Sequence, residues 1–392
     1  MNVKTMLADF LSFVTPNSMH KTRFSALLSA TQSLVEHNRC TVTAIGRGID
    51  SATSEKHSIK RSDRLLSNTT LSAEMPVIYT LMTRAVLAQS KHPVVLVDWS
   101  NADTKKRHHI LRASLALEGR SLTLLQMVAA TDDYNSPRVH RQFLNRLKHM
   151  LPDGCKPIIV TDAGYKVPWL QDVRKQGWHY ITRVRGKQQL KLPEKNQFIS
   201  VNTLYKQARS CPKHLGVIKL TKAACYQTQA VLVGTGWKLR KRDKHRQYKE
   251  PWLLVSSLPK CFNYAEKIAK CYSKRMQIEA SFRDQKSQTY GLGSNAHGTY
   301  KRNRLEVLIL LAALANWLHY MLGVAAELAG LHRQFQANTI RHRRVLSFNY
   351  LGMRQCKLAK LQLSTEQIQA AIGQIMLWVA AADWAVIKLE KS

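Results

Sequence analysis

The sequence predicts an α/β protein: a mixed sheet with flanking helices, interrupted by a β-rich insertion, with helical N-terminal and C-terminal regions. Three observations predict it. Two β-branched apolar runs, PVVLVDWS at 93–100 and KPIIVTDAG at 156–164, read as buried strands that each end in an aspartate, Asp98 and Asp162. Strand-sized pieces separated by polar turns fill about 187–250. Helical periodicity dominates both ends, as in FSALLSATQSLVEH near the start.

Composition narrows the function. Sixty Lys plus Arg against 25 Asp plus Glu give a formal charge of +35, which points to a polyanion, nucleic acid first. The 45% hydrophobic content and eight Trp exclude a disordered basic tail and fit a chain of two or three domains. Seven scattered cysteines without a CxxC spacing predict reduced thiols and a cytoplasmic setting. Asp9 within MNVKTMLADFLSFV, and no small-residue cleavage site, argue against a secretory signal. The apolar run 307–331 nears the length of a bilayer span, but Asn316, His319 and Glu327 interrupt it and basic sequence flanks it on both sides. A helix buried inside the protein is expected there, with no membrane partner.

In order, residues 1–85 read as short helices with a basic segment, KHSIKRSDRLLSN, at 56–68, fitting a DNA-binding domain. Residues 86–187 hold the Asp98 strand, two further strands in LRASLALEG and SLTLLQMVA, a helix over 137–151 and the Asp162 strand. Both aspartates fall at carboxyl ends of strands, the edge of an α/β sheet where catalytic groups collect. Residues 188–250 form the β-rich insertion, with a very basic stretch at 238–249. Residues 251–330 return to the core through PWLLVSSLP, a helix over about 264–287 and the apolar helix; residues 331–392 are helical and a candidate for dimerisation.

Within the 264–287 helix, Tyr272, Arg275, Glu279 and Lys286 stand at relative positions 0, 3, 7 and 14. At about 100° per residue they fall within roughly 60° of one another. An ordinary alternative is an i,i+4 ladder of Arg275, Glu279 and Arg283 on a solvated face. An aspartate after a strand is likewise often a turn former or helix cap. Three carboxylates together in a +35 chain favour a site for hard cations.

These blocks carry a resemblance. DWS at 98–100, TDAGYKVPW at 161–169 and YSKRMQIEASFRDQKS at 272–287 resemble the DDE transposases of bacterial insertion sequences, in the insertion-sequence-four family. The third block matches that family's signature of Tyr, two residues, Arg, three residues, Glu, six residues, Lys. KHSIKRSDRLLSN, VRGK at 184–187 and FQANTIRHRRVLS at 335–347 extend the similarity over most of the chain. The resemblance implies an RNase H-like core with Asp98, Asp162 and Glu279 as its acidic triad, recognition of terminal inverted repeats, and a dimeric DNA complex. Excision through hairpin-ended DNA and insertion into a target are implied with it.

On that basis Asp98, Asp162 and Glu279 are the expected catalytic and metal residues, holding two Mg²⁺ ions for which Mn²⁺ substitutes. Asp98 is the candidate bridging ligand. Arg275 and Lys286 are expected to grip phosphates, and Tyr272 to hydrogen-bond a phosphate at the element's end. Trp252 and Met276 are candidates to stack on an extruded base, although a Trp in an apolar strand more commonly belongs to a core. Arg183, Arg185 and Lys187, the 238–249 stretch and Arg341–Arg344 are expected to line the DNA path, each run being otherwise a solvated charged face.

Overall fold

A computed structural model of the chain describes residues 2–237, 250–337, 339–358 and 361–387. The basic stretch at 238–249 lies outside the described residues. The N-terminal region is helical as expected: α1 (Val3–Val14), α2 (Lys21–His37), α3 (Val42–Arg47), α4 (Glu55–Leu66) and α5 (Thr69–Leu87). Side-chain caps start several of these helices. Asn2 Oδ1 accepts from Thr5 N, Thr41 Oγ1 from Ala44 N and Asn68 Oδ1 from Leu71 N.

The next segment builds β1 (Val94–Asn101), β2 (His108–Ala116), β3 (Ser121–Ala130), α6 (Pro137–Met150), β4 (Ile158–Thr161), α7 (Val167–Lys175) and β5 (His179–Val184). These five strands lie in the order β3-β2-β1-β4-β5. β1 pairs parallel with β4 and β4 with β5, while the β1–β2 and β2–β3 pairs are antiparallel, so β2 alone of the five is reversed. That order and polarity are compatible with an RNase H-like core. Alternation along β1 divides its side chains between two apolar clusters, Val95 and Val97 on one face, Val94 and Leu96 on the other.

The β-rich segment is β6 (Gln189–Lys191), β7 (Ile199–Ser200), α8 (Val201–Tyr205), β8 (Lys213–Leu220) and β9 (Tyr226–Val233), followed by β10 (Trp252–Ser256). It does not stand apart. β10 pairs antiparallel with both β5 and β9, so all the strands form one ten-stranded sheet ending β5-β10-β9-β8-β6-β7.

Two expectations need correction. β1 does not end at Asp98 but continues to Asn101. Its parallel pairing with β4 stops at Leu96, whereas its antiparallel pairing with β2 runs on to Asn101 opposite His109. Asp98 therefore stands where one neighbouring strand has ended and the other still holds the backbone. The single helix expected over 264–287 is two, α9 (Tyr264–Ser273) and α10 (Met276–Lys286). Between them the N–H groups of Gln277 and Ile278 donate to carbonyls three residues back, at 2.9 and 3.2 Å. Such tightening shifts the angular phase of everything that follows.

Behind the sheet lies α11 (Arg302–Leu328), long and apolar enough to span a bilayer, with 83% of its apolar window buried inside the protein. It packs against β3, α2, α12 (Phe348–Cys356) and α13 (Thr365–Ala382), with α14 (Trp384–Ile387) after them. The α11–α12 crossing is set by glycine. A Cβ on Gly323 would lie 1.9 Å from Phe348 O, and one on Gly352 would lie 1.9 Å from His319 O. Any larger residue would push the two backbones apart.

Candidate active site

Asp98, Asp162 and Glu279 line one cleft of about 660 Å³, together with Ser100, Tyr134, Tyr165, Phe282, Arg283, Lys286 and Asn295. Each carboxylate arrives by a different route. Asp98 comes from β1, with its Oδ1 accepting the Trp99 backbone N–H at 2.8 Å. Asp162 follows β4 directly, and its Oδ1 accepts from Gly164 N at 2.8 Å, an Asx-type turn. A Cβ at Gly164 would sit 3.0 Å from that same oxygen, so a small residue keeps the turn tight. Glu279 lies in the first turn of α10, exposed toward the cleft.

The electrostatics of the cleft are those of crowded acids. Burial first, then Asp162 and Glu279, push the Asp98 carboxyl up to about 7, against the opposing pull of Arg275. Arg275 Nη1 lies 2.6 Å from Glu279 and 3.7 Å from Asp98, so two of the three acids share one guanidinium. The Arg275–Glu279 part of the i,i+4 ladder thus forms, although around the cleft and not on a purely solvated face. Lys286 Nζ donates to Ser100 Oγ, tying the end of α10 to β1. Burial, reinforced by Arg112, brings the Lys286 amine down to about 8. Arg112, on β2 opposite Asp98, is fully buried and donates to Gln126 and Gln285.

Among the described residues, no three His, Cys, Asp or Glu side chains already stand as a metal cage. The donor set nevertheless fits a divalent cation. It offers oxygen only, and burial together with the neighbouring acids raises Asp98, a tension that a cation relieves. In the conformation described, Arg275 fills that electrostatic role.

The other expected residues divide. Met276 is 54% exposed at the start of α10, against the core packing that is usual for methionine. Trp252 is buried, edge-on to Tyr272 at 5.0 Å and to Trp237 at 6.4 Å, which corrects its reading as an accessible stacking platform. The reason is what covers its face of the sheet: α9 packs on β10, and Trp252 joins an apolar cluster with Trp237, Ile268 and Tyr272. Tyr272 is also buried, on the apolar side of α9, and burial pushes its phenol up to about 12. Its hydroxyl accepts from Arg275, the same guanidinium that pairs with Glu279 and Asp98, and Asp162 lies within electrostatic reach. The Tyr272 ring packs edge-on against Trp252.

Arg183 and Arg185 both clasp Glu250, at 2.5 and 2.6 Å, so the one carboxylate offsets half of their charge within the chain. Lys187 is exposed. Of the cluster at 341–344, Arg341 and Arg343 are exposed, whereas Arg344 lies 3.7 Å over the Phe348 ring and 3.1 Å from Glu327. None of the seven cysteines forms a disulfide among the described residues. Sequence reasoning missed Ser100, Tyr134, Tyr165 and Asn295 in the cleft. Only the nearness of Ser100 to Asp98 and of Tyr165 to Asp162 in the chain signalled them.

A β3-β2-β1-β4-β5 sheet with three carboxylates at its cleft defines a phosphoryl-transfer core of the nuclease and transposase class. Residues 89–317, more than half of the chain, match the family model of the transposase DDE domain. The chain belongs to that family, whose members act on DNA and generally use divalent metal ions. No curated protein matches this chain.

Proposed function

We propose that this chain catalyses cut-and-paste transposition of its own insertion sequence: end nicking, hairpin formation and resolution, and strand transfer to target DNA. The observation that supports it is the convergence of Asp98, Asp162 and Glu279 on one cleft, with Arg275 and Lys286 at its edge. In this reading the three carboxylates hold two Mg²⁺ ions, with Mn²⁺ as a substitute. When bound, such ions activate a water or 3′ hydroxyl and stabilise the leaving oxygen.

The chain's own residues do the rest. Lys286, fixed by Ser100, holds a phosphate next to the acids. Arg275 exchanges its carboxylate partners for a phosphate of the bound strand. Met276, exposed beside Arg275, is the stacking candidate that remains accessible. Exposed Lys187, Arg341 and Arg343 extend the phosphate contacts along the duplex.

Residues 1–85 serve as the domain that reads the terminal inverted repeat, 86–187 and 251–330 as the catalytic core, 188–250 as the insertion, and 331–392 as the region that pairs two copies in the DNA complex. Membership of the insertion-sequence-four family, with a likeness to the transposase of transposon ten, belongs to the same reading, as does work in the cytoplasm at the nucleoid.

The test incubates the protein and Mg²⁺ with DNA carrying the inverted repeats that flank its gene, beside a Glu279→Gln control, on denaturing gels. Hairpin-ended products from the wild type alone are expected. End binding without cutting, in both Mg²⁺ and Mn²⁺, would overturn the enzymatic reading in favour of a DNA-binding regulator.

A further inference from the structure

The cleft floor carries a buried donor without an acceptor. Tyr165 is 4% exposed, and among the described residues no group bonds to its hydroxyl. That hydroxyl lies within electrostatic reach of both Asp98 and Asp162, and the ring lines the same cleft. Burial, Asp98 and Asp162 raise the phenol well above its ordinary value, so it remains a neutral donor. The ring has little freedom to turn elsewhere. His140 stacks on it with centroids 5.3 Å apart and planes 26° from parallel, and Trp169 packs at 4.8 Å. His140 in turn accepts from Trp99 Nε1 at 3.2 Å, joining Tyr165 to the residue after Asp98.

Of the two acids within its reach, Asp98 acts on it more strongly and offers an acceptor oxygen that is not fully used. Trp99 N–H serves its Oδ1, while its Oδ2 faces Arg275 at 3.7 Å, beyond hydrogen-bond range. We propose that Tyr165 is a positioning residue of the metal site, donating its hydroxyl to the Asp98 carboxylate when a divalent cation draws Asp98 and Asp162 together. This rests on the metal reading above. Carboxylate ligands are commonly oriented by such outer hydrogen bonds, and losing one weakens metal affinity by about 10- to 100-fold. It also accounts for a desolvated hydroxyl that contributes no bond to the fold as it stands.

Tyr165→Phe removes one oxygen and keeps the ring. Calorimetric titration of the DNA-free full chain with Mn²⁺ is expected to show affinity about 10-fold or more below wild type. Thermal unfolding without metal is expected at the wild-type midpoint or above it. Asp98→Asn serves as the reference that loses the site. Equal Mn²⁺ affinity in Tyr165→Phe and wild type would overturn this proposal alone. A midpoint several degrees lower would overturn it as well, by assigning the hydroxyl to the fold. Wild-type binding that is indifferent to Asp98→Asn would overturn the metal reading and this inference together.

Discussion

Arg275 stands between Glu279 and Asp98, 2.6 Å from one and 3.7 Å from the other, and supplies the positive charge that two crowded acids require. A divalent cation and this guanidinium compete for the same carboxylates. In Arg275→Gln, Mn²⁺ is expected to bind the DNA-free protein several-fold more tightly, because a local positive charge is gone. DNA end cleavage is expected to fall by about 100-fold, since a charged contact to the strand is lost. Calorimetry and single-turnover cleavage measure the two effects. Unchanged or weaker Mn²⁺ binding would show that Arg275 does not oppose the cation.

Lys286 provides a pH signature. Its amine is lowered to about 8, so it is charged below that pH and neutral above it. Any phosphate contact that it makes fades as pH rises from 7 to 9. End-DNA affinity in Ca²⁺ is therefore expected to decline over this range in wild type and to stay flatter in Lys286→Arg, whose guanidinium remains charged. Parallel declines in the two proteins would remove Lys286 from the contact.

Two buried histidines predict acid sensitivity. Burial lowers both His140 and His319 to about 4, below the unfolded value near 6.5, so the fold holds them neutral. The unfolded chain binds the extra protons, so stability is complete above about pH 6.5 and is lost as pH falls toward 4. By pH 5 each contributes a loss on the order of 2 kcal/mol. The drop in unfolding midpoint between pH 7 and pH 5 is expected to be smaller in His140→Gln and in His319→Gln than in wild type. An identical drop would locate the sensitivity elsewhere.

The α11–α12 crossing provides a packing test. Gly352→Ala places a methyl against the His319 carbonyl, where a Cβ would lie 1.9 Å away, so backbone must move. A loss of about 1–3 kcal/mol in denaturant unfolding is expected. Gly119→Ser tests strain without crowding. Its φ of +72° is unfavourable for other residues, but nothing lies within 4 Å of an added Cβ, and a loss below that of Gly352→Ala is expected.

Much of the fold was legible because its signals are local. The apolar runs around Asp98 and Asp162 became β1 and β4, LRASLALEG and SLTLLQMVA became β2 and β3, and the interrupted apolar run became the buried α11. Glu279 and Lys286, seven residues apart and so two helical turns, both reached the cleft. The spacing rule placed Tyr272 beside Arg275 but could not report that it is buried, because it gives an angle and not a depth. The three-residue hydrogen bonding at Gln277 and Ile278 that divides α9 from α10 was not legible, because no propensity marks that spot.

By itself, the sequence determined the strand-borne aspartates, the Glu279 and Lys286 spacing and the excess of positive charge, since each depends on residue identity and short-range periodicity. Tertiary structure alone decided which charges are free and which surfaces are open. Glu250 claims Arg183 across 67 residues of chain, Tyr272 and Trp237 pack on Trp252, and Tyr165 is left with a donor beside two acids. The physical reason is that desolvation and pairing depend on what the fold brings near a side chain, and those neighbours are distant in sequence.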